Sequence, residues 1–462
     1  MLTAEKQTLL SGFLVQLPEP VAAQLAKAIE IDRLTGGTAL PHDGILRVLR
    51  PHLRAAPQQQ RLPMPQRYFC LPFEDLLVPP ERSAKQKGRI ARSSIEPVWN
   101  WLAGELIPAQ IRELGESIRE ASLHKRDDAL RDAAAVLWAE AADALKPALG
   151  SEKKRAFAAK KLGGFAIAED AAEMALLLGG AQDVQRLQRL LPKPIVHLGE
   201  ADISLLREVF DRWRHSDPDL APYVPLIFLG RLGRPCEALR AVAALSHKTN
   251  DAMISGTDLG IVGELLFSDL EGYVKAIQAA RPSELDAEAL LADLARFAEL
   301  SSGIVKELGI RREGKWGQQL VKERSTVAAI MESLLDRAAK EILGPLHASK
   351  IFGKGSKPVD FSRTPDPDRH ARAMRYARLL AGSQPFAAAG AFNVKLKDVL
   401  EETVGALRGF SEELLREHRS APDAMRPNAD ALLELTFELC GIVLGEEETS
   451  LLRRRAKVMA SA

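Results

Sequence analysis

Between Trp316 and Leu343 the apolar residues Leu320, Val327, Ile330, Met331, Leu334, Leu335, Ala338 and Ile342 recur at spacings of three, four and seven, with charged residues between them. Those intervals place them on one face of an α-helix, so the pattern predicts a long amphipathic helix over this stretch. Farther on, Leu396, Leu400, Thr403, Leu407, Phe410 and Leu414 step by four, three, four, three and four. This is a heptad seam of fewer than three heptads, which suits a bundle or a helix-pairing surface better than a long coiled coil. Strict alternation of apolar and polar residues, the mark of a half-buried strand, is absent. The expected fold class is all-α.

The ends of the predicted helices carry capping chemistry. Ser93-Ser94-Ile95-Glu96 and Ser283-Glu284-Leu285-Asp286 have the spacing of a capping box, in which a hydroxyl satisfies an orphan backbone N–H three residues on. Asp217-Pro218 and Asp366-Pro367 set a capping acid before a proline, which a first helical turn tolerates because its N–H has no partner there anyway. Two helix–corner–helix units are predicted, one around Gly179-Gly180 and one in LGRLGRPCEALRAVAAL from Leu229 to Leu245. In both, glycine is expected to end one helix in a left-handed conformation, and in the second Pro235 starts the next. The two corners lie about fifty residues apart, a distance compatible with a solenoid-like array and equally with an irregular bundle.

Three stretches read as connections. Residues 56–66 are rich in Pro and Gln, and residues 79–94 form a basic loop. Residues 350–368, with their Gly, Pro and mixed charges, are the expected domain boundary. The predicted organisation is an irregular helical body over 1–349, a linker over 350–368 and a C-terminal helical bundle over 369–462.

Composition sharpens this picture. The 462 residues are 46% hydrophobic but only 5% aromatic, so the core must be built from Leu, Ala, Val and Ile, among which Ala and Leu are strong helix formers. Lys and Arg (63) balance Asp and Glu (62), which removes the overall basic excess of a dedicated nucleic-acid binder. The three cysteines, Cys70, Cys236 and Cys440, are far apart, odd in number and set among apolar residues. They are expected to be buried thiols in a reducing compartment, and the cytoplasm is the expected location. The N-terminal stretch reads as an amphipathic helix rather than a signal peptide, and no apolar run is long enough to span a bilayer.

Candidate chemistry is sparse. Asp127-Asp128-Ala129-Leu130-Arg131-Asp132 has the DDxxxD form that can hold magnesium and a diphosphate on a helix, but a second metal-binding helix of the needed spacing is missing. Gly353-Lys354-Gly355-Ser356 lacks the spacing of a phosphate-binding loop. The nine histidines form neither HExxH nor ExxH, and no GxSxG elbow occurs, so neither a metal, a cofactor nor a catalytic set is expected. The strongest local anomaly runs from Tyr68 to Trp101, where five of the 24 aromatics surround Arg82, Lys85, Lys87, Arg89 and Arg92. With Trp99 and Trp101 beside it, this loop could present cations to a phosphate backbone or another anion. The plainer reading is a solvated loop between helices whose aromatics are core.

The sequence thus points to a non-enzymatic helical scaffold that binds a protein partner, with Leu396, Leu400, Leu407, Phe410 and Leu414 as a candidate partner face and self-association open. Binding of nucleic acid or an anionic ligand through residues 82–92 stands second. An enzyme with a helical magnesium–diphosphate pocket stands third.

Overall fold

A computed structural model describes residues 65–79, 85–246, 254–310, 313–346 and 359–461, together with scattered positions between 14 and 49. The protein is all-α: the described residues hold seventeen α-helices, short 3-10 and π turns, and a single parallel pair of two-residue strands. None of the described helices is long and apolar enough to cross a membrane. The chain falls into two compact units, one made of Met1–Ile195 and Glu208–Arg231, the other of Val196–Arg207 and Leu232–Ala462.

The first unit contains α1 (Gln66–Cys70), α2 (Ile95–Trp101), α3 (Pro108–Leu123), α4 (Asp127–Leu149), α5 (Glu152–Leu162), α6 (Phe165–Gly179) and α7 (Ala181–Leu190). Next comes α8 (Glu200–Ser216), whose residues divide between the units, and then α9 (Tyr223–Leu229). Helix α4 packs against both α3 and α6. Ala141 and Ala142 on α4, and Ala171 and Ala175 on α6, are buried, and such small side chains let two helices approach closely. Leu137, Leu145, Met174 and Leu178 fill the space around them, and burying each large side chain contributes about 1.5–3 kcal/mol. The strands β1 (Leu77–Val78) and β2 (Ile90–Ala91) pair Leu77 with Ile90 and Val78 with Ala91, and they bracket the basic loop.

The corner after α9 forms where the sequence places it, with a 3-10 turn at Pro235–Glu237 leading into the next helix. Its glycine acts differently from expectation. Gly230 has φ −67, an ordinary right-handed value, and a Cβ there would come within 2.1 Å of the Asp75 backbone oxygen. Close approach of another backbone, rather than a left-handed turn, demands glycine at this corner. Gly180, at φ −100, likewise ends α6 without a left-handed conformation.

The second unit holds α10 (Ala238–Ser246), α11 (Gly260–Gln278), α12 (Ala287–Glu307), α13 (Lys315–Leu343), α14 (Pro367–Gly382), α15 (Asn393–His418), α16 (Arg426–Val443) and α17 (Glu446–Ser461). Helix α13 is the predicted long helix, and Leu320, Val327, Met331, Leu334, Leu335, Ala338 and Ile342 are all buried. It packs against α11 on the earlier side of residues 350–368 and against α14 and α15 on the later side. Residues 350–358 of the expected linker lie outside the described residues. The described helices flanking it, α13 and α14, fall in one unit.

Capping follows the sequence in part. Asp366 caps α14 as expected, its carboxylate accepting from the Asp368 N–H at 2.9 Å and the Arg369 N–H at 3.4 Å, with Pro367 in the first turn. At α12 the cap is Asp286 itself, which accepts from the N–H groups of Glu288 and Ala289, and Ser283 lies in a preceding 3-10 turn. Neither Ser93 nor Ser94 caps α2, and the Ser94 hydroxyl is engaged elsewhere, as described below. Asp217 closes a turn by accepting from the Leu220 N–H and does not start a helix.

Candidate functional site

The aromatics of the Tyr68–Trp101 segment are structural. Phe69 is fully buried, with its ring centroid 5.3 Å from those of Phe73 and Trp99, and Trp101 is also buried. Trp138 of α4 donates from its indole nitrogen to the Tyr68 carbonyl at 2.8 Å and ties this cluster to the helical core.

The basic loop turns inward onto two acids. Asp170 and Glu173 stand one helical turn apart on α6, and both are buried. Lys85 reaches between them: its ammonium lies 2.7 Å from Asp170 Oδ1, pairs with Glu173 Oε2, and donates to the Arg89 carbonyl at 2.7 Å. Neutral donors satisfy the remaining oxygens. Glu173 Oε1 accepts from the Gly88 N–H at 2.5 Å and the Tyr223 hydroxyl at 2.8 Å, while Asp170 Oδ2 accepts from the Ser94 hydroxyl at 2.6 Å and the Ala91 N–H at 3.1 Å. Burial and the adjacent Glu173 carboxylate push the Tyr223 hydroxyl well above its ordinary value, so it remains a donor.

This geometry fixes the loop conformation. The Arg89 N–H donates to the Gln86 carbonyl at 3.2 Å across a turn whose third residue, Gly88, has φ +81. That left-handed value favours glycine, and the Leu226 side chain would lie 2.6 Å from any Cβ added there. Arg89 is buried, Lys87 lies 5.8 Å over the Tyr223 ring while staying exposed, and Arg92 is exposed. Arg82 lies outside the described residues. Of the loop cations marked in the sequence, Lys85 and Arg89 are thus drawn into the unit, and Lys87 and Arg92 face outward. Nothing in the sequence around Lys85 announces this. The available signal is on α6, where FAIAEDAAEMALLLG sets Asp170 and Glu173 on the same stripe as Ala171, Met174 and Leu178. Acids on an apolar stripe call for a buried cation.

A second buried acid, Asp75, anchors the corner after α9. It accepts from Arg231 Nε at 2.7 Å, Lys193 Nζ at 2.8 Å and Gln188 Nε2 at 2.9 Å. Arg231 also donates to the carbonyls of Gln188 and Leu191, both at 2.8 Å, and so satisfies the exposed end of α7.

The DDxxxD acids do not converge. Asp127 borders a cleft of about 320 Å³ with Tyr68, Leu130, Arg131, Trp138 and Arg189. At 100° per residue, Asp128 and Asp132 point about 100° and 140° away from it round the helix. Asp128 instead pairs with Arg131 and is almost fully exposed. Among the described residues, no three His, Cys, Asp or Glu side chains are placed to hold a metal ion. All three cysteines are buried free thiols, and burial pushes Cys70 up to about 12 and also raises Cys236 and Cys440.

The heptad seam of α15 is internal to the second unit. Leu396, Leu407, Phe410 and Leu414 are buried, Thr403 is fully buried and Leu400 is half-buried, in a helix that packs on α13 and α16. Along this seam the described side chains pack mainly within their own unit, with Leu400 partly open.

An open surface lies instead at the far end of α15. There a groove of about 600 Å³ runs between α15, α16 and α17. Leu415, Leu433, Phe437 and Ala456 provide its apolar lining, and His418, Arg419, Arg426, Arg453 and Lys457 surround it, with Glu434 the acid among its walls. The Arg453 guanidinium stands 5.6 Å over the Phe437 ring. His418 pairs with Asp430 at 2.7 Å, and Arg426 donates to the His418 carbonyl at 2.8 Å, which shapes the mouth. The apolar floor comes from helices separated in the chain and has no local signature in the sequence.

No protein-family model, characterised protein or solved structure matches this chain.

Proposed function

We propose that this protein is a helical interaction scaffold that holds an acidic, amphipathic segment of a protein partner in the groove between α15, α16 and α17. The observation that carries the reading is the groove itself, with Leu433 and Phe437 at its floor and Arg419, Arg426, Arg453 and Lys457 around it. An apolar floor gains from burying Leu or Phe side chains of a partner, and the surrounding cations select carboxylates and steer their approach. Its volume suits several side chains presented from one helical face. The three buried thiols are consistent with residence in a reducing compartment such as the cytoplasm.

Anion binding through the basic loop is less well supported, because Asp170 and Glu173 already neutralise Lys85. Amide hydrogen exchange with and without an acidic amphipathic peptide tests the proposal. Added peptide should slow exchange in the last turns of α15 and along α16 and α17, and leave α4 unchanged. Uniform exchange across the C-terminal helices at saturating peptide would refute it.

A further inference from the structure

A different surface, on the first unit, combines exposed aromatics with cations. Helix α5 reads EKKRAFAAKKL and buries only Ala158, Ala159 and Leu162. At 100° per residue, Lys153, Phe157, Lys160 and Lys161 share a sector about 100° wide on the opposite side. Phe157 is 62% exposed, and Phe165, just past the Gly163-Gly164 corner that ends the helix, is 67% exposed. The adjoining acids are few: Glu152 sits in the first turn of α5, Glu169 lies one turn beyond Phe165, and Glu105 pairs with Lys161 at 2.9 Å. Lys154 donates to the Pro147 carbonyl at 2.8 Å. Among the described residues, no carboxylate pairs with Lys153, Arg155 or Lys160.

Large aromatics left in water and ringed by unpaired cations are poorly explained by internal packing. Phe157 is oriented away from the core, so it adds nothing to the hydrophobic interior of the unit. We propose that the α5 face and the α5–α6 corner dock on the surface of a bilayer carrying anionic phospholipid. Phe157 and Phe165 enter the boundary between headgroups and acyl chains. Lys153 and Lys160 extend their aliphatic stems along that boundary and place their charges at lipid phosphates. A bilayer accepts both components together, because it offers an apolar layer directly beneath a continuous plane of negative charge. A nucleic acid would leave protruding phenylalanines on a convex helix without the groove that tracks a strand. The attachment is peripheral and reversible, as expected for a short patch rather than an inserted helix.

The test is sedimentation of the full chain with vesicles of phosphatidylcholine containing phosphatidylserine, against vesicles of phosphatidylcholine alone. The wild type should partition onto the anionic vesicles and be released as salt rises. The double variant Lys153→Glu/Lys160→Glu should lower the partition coefficient at least tenfold, since each juxtamembrane cation contributes roughly fivefold. The double variant Phe157→Ser/Phe165→Ser should also lose most binding. All four positions are exposed, and an unchanged melting temperature identifies folded variants. Arg363→Glu, at an exposed cation of the second unit, should bind vesicles like the wild type. Absence of binding to anionic vesicles, or equal binding to both compositions, would overturn the proposal. So would loss of single-stranded oligonucleotide binding in the same variants with vesicle binding intact.

Discussion

The Lys85 ammonium lies 2.7 Å from the Asp170 carboxylate, with both side chains largely withdrawn from solvent. Glu173 shares the same cation, so Lys85 is the one positive charge between two buried acids among the described residues there. Removing one member of a buried pair leaves an uncompensated charge, which costs about 3–5 kcal/mol. Lys85→Met should therefore lower the stability of the first unit by that amount in urea unfolding. Adding Asp170→Asn and Glu173→Gln to Lys85→Met should recover a large part of it. An unchanged midpoint in Lys85→Met would show that the pair contributes nothing.

Two glycines are required for different reasons. Gly88 has a left-handed backbone and the flexible Leu226 side chain above it, so Gly88→Ala should cost about 1–3 kcal/mol. Gly230 has ordinary dihedrals but faces the Asp75 backbone oxygen, which cannot swing away. Gly230→Ala should cost about 3 kcal/mol or more, through displacement of the whole Asp75 anchor. Thermal melts of the two variants side by side check the order, and a milder effect at Gly230 would contradict it.

Glu323 is buried on α13, and desolvation raises its pKa above the ordinary 4.5, with Glu271 adding to the rise. Burial thus favours the protonated carboxyl in the fold. As pH rises through 4.5 the unfolded chain gives up this proton while the folded protein holds it, so stability falls until the folded group also ionises. Glu323→Gln removes that loss. It should raise the melting temperature at pH 7 and leave it unchanged below about pH 4, where the carboxyl is protonated in both states. A gain of equal size at both pH values would point to packing rather than charge.

The cysteines supply a readout of global opening. Burial pushes Cys70 up to about 12 and also raises Cys236 and Cys440, so the fold disfavours the reactive thiolate at each and shields all three from solvent. A chromogenic disulfide reagent should label none of the three until denaturant unfolds the chain. Rapid labelling of one thiol in the native protein would reveal local opening around it.

Fold class was legible in the sequence because helical spacing is local: the stripe from Leu320 to Ile342 lies on a single helix, and every helical turn repeats the signal. The α15 seam was legible for the same reason, but its covering partners were not. Leu407 and Leu414 read alike whether they face another protein or, as here, their own unit. Lys85 and Asp170 are 85 positions apart in the chain, and no short window joins them. Gly230 was marked correctly as a corner, yet its reason lies in the Asp75 carbonyl, which only the folded chain brings near. The groove was missed because Leu415, Phe437 and Arg453 come from three helices, and periodicity shows which side of each helix is apolar without showing where three such sides meet.

If charge around the C-terminal groove selects an acidic partner segment, a charge swap should reverse the preference. Affinity would be measured for an acidic amphipathic peptide and for its Glu→Lys counterpart, each against the wild type and the double variant Arg419→Glu/Arg453→Glu. The wild type should prefer the acidic peptide, the variant should lose that peptide by about tenfold or more, and it should gain the basic one, each tenfold corresponding to about 1.4 kcal/mol. Equal affinities for both peptides in the wild type, or unchanged affinities for both in the variant, would show that the groove does not select by charge.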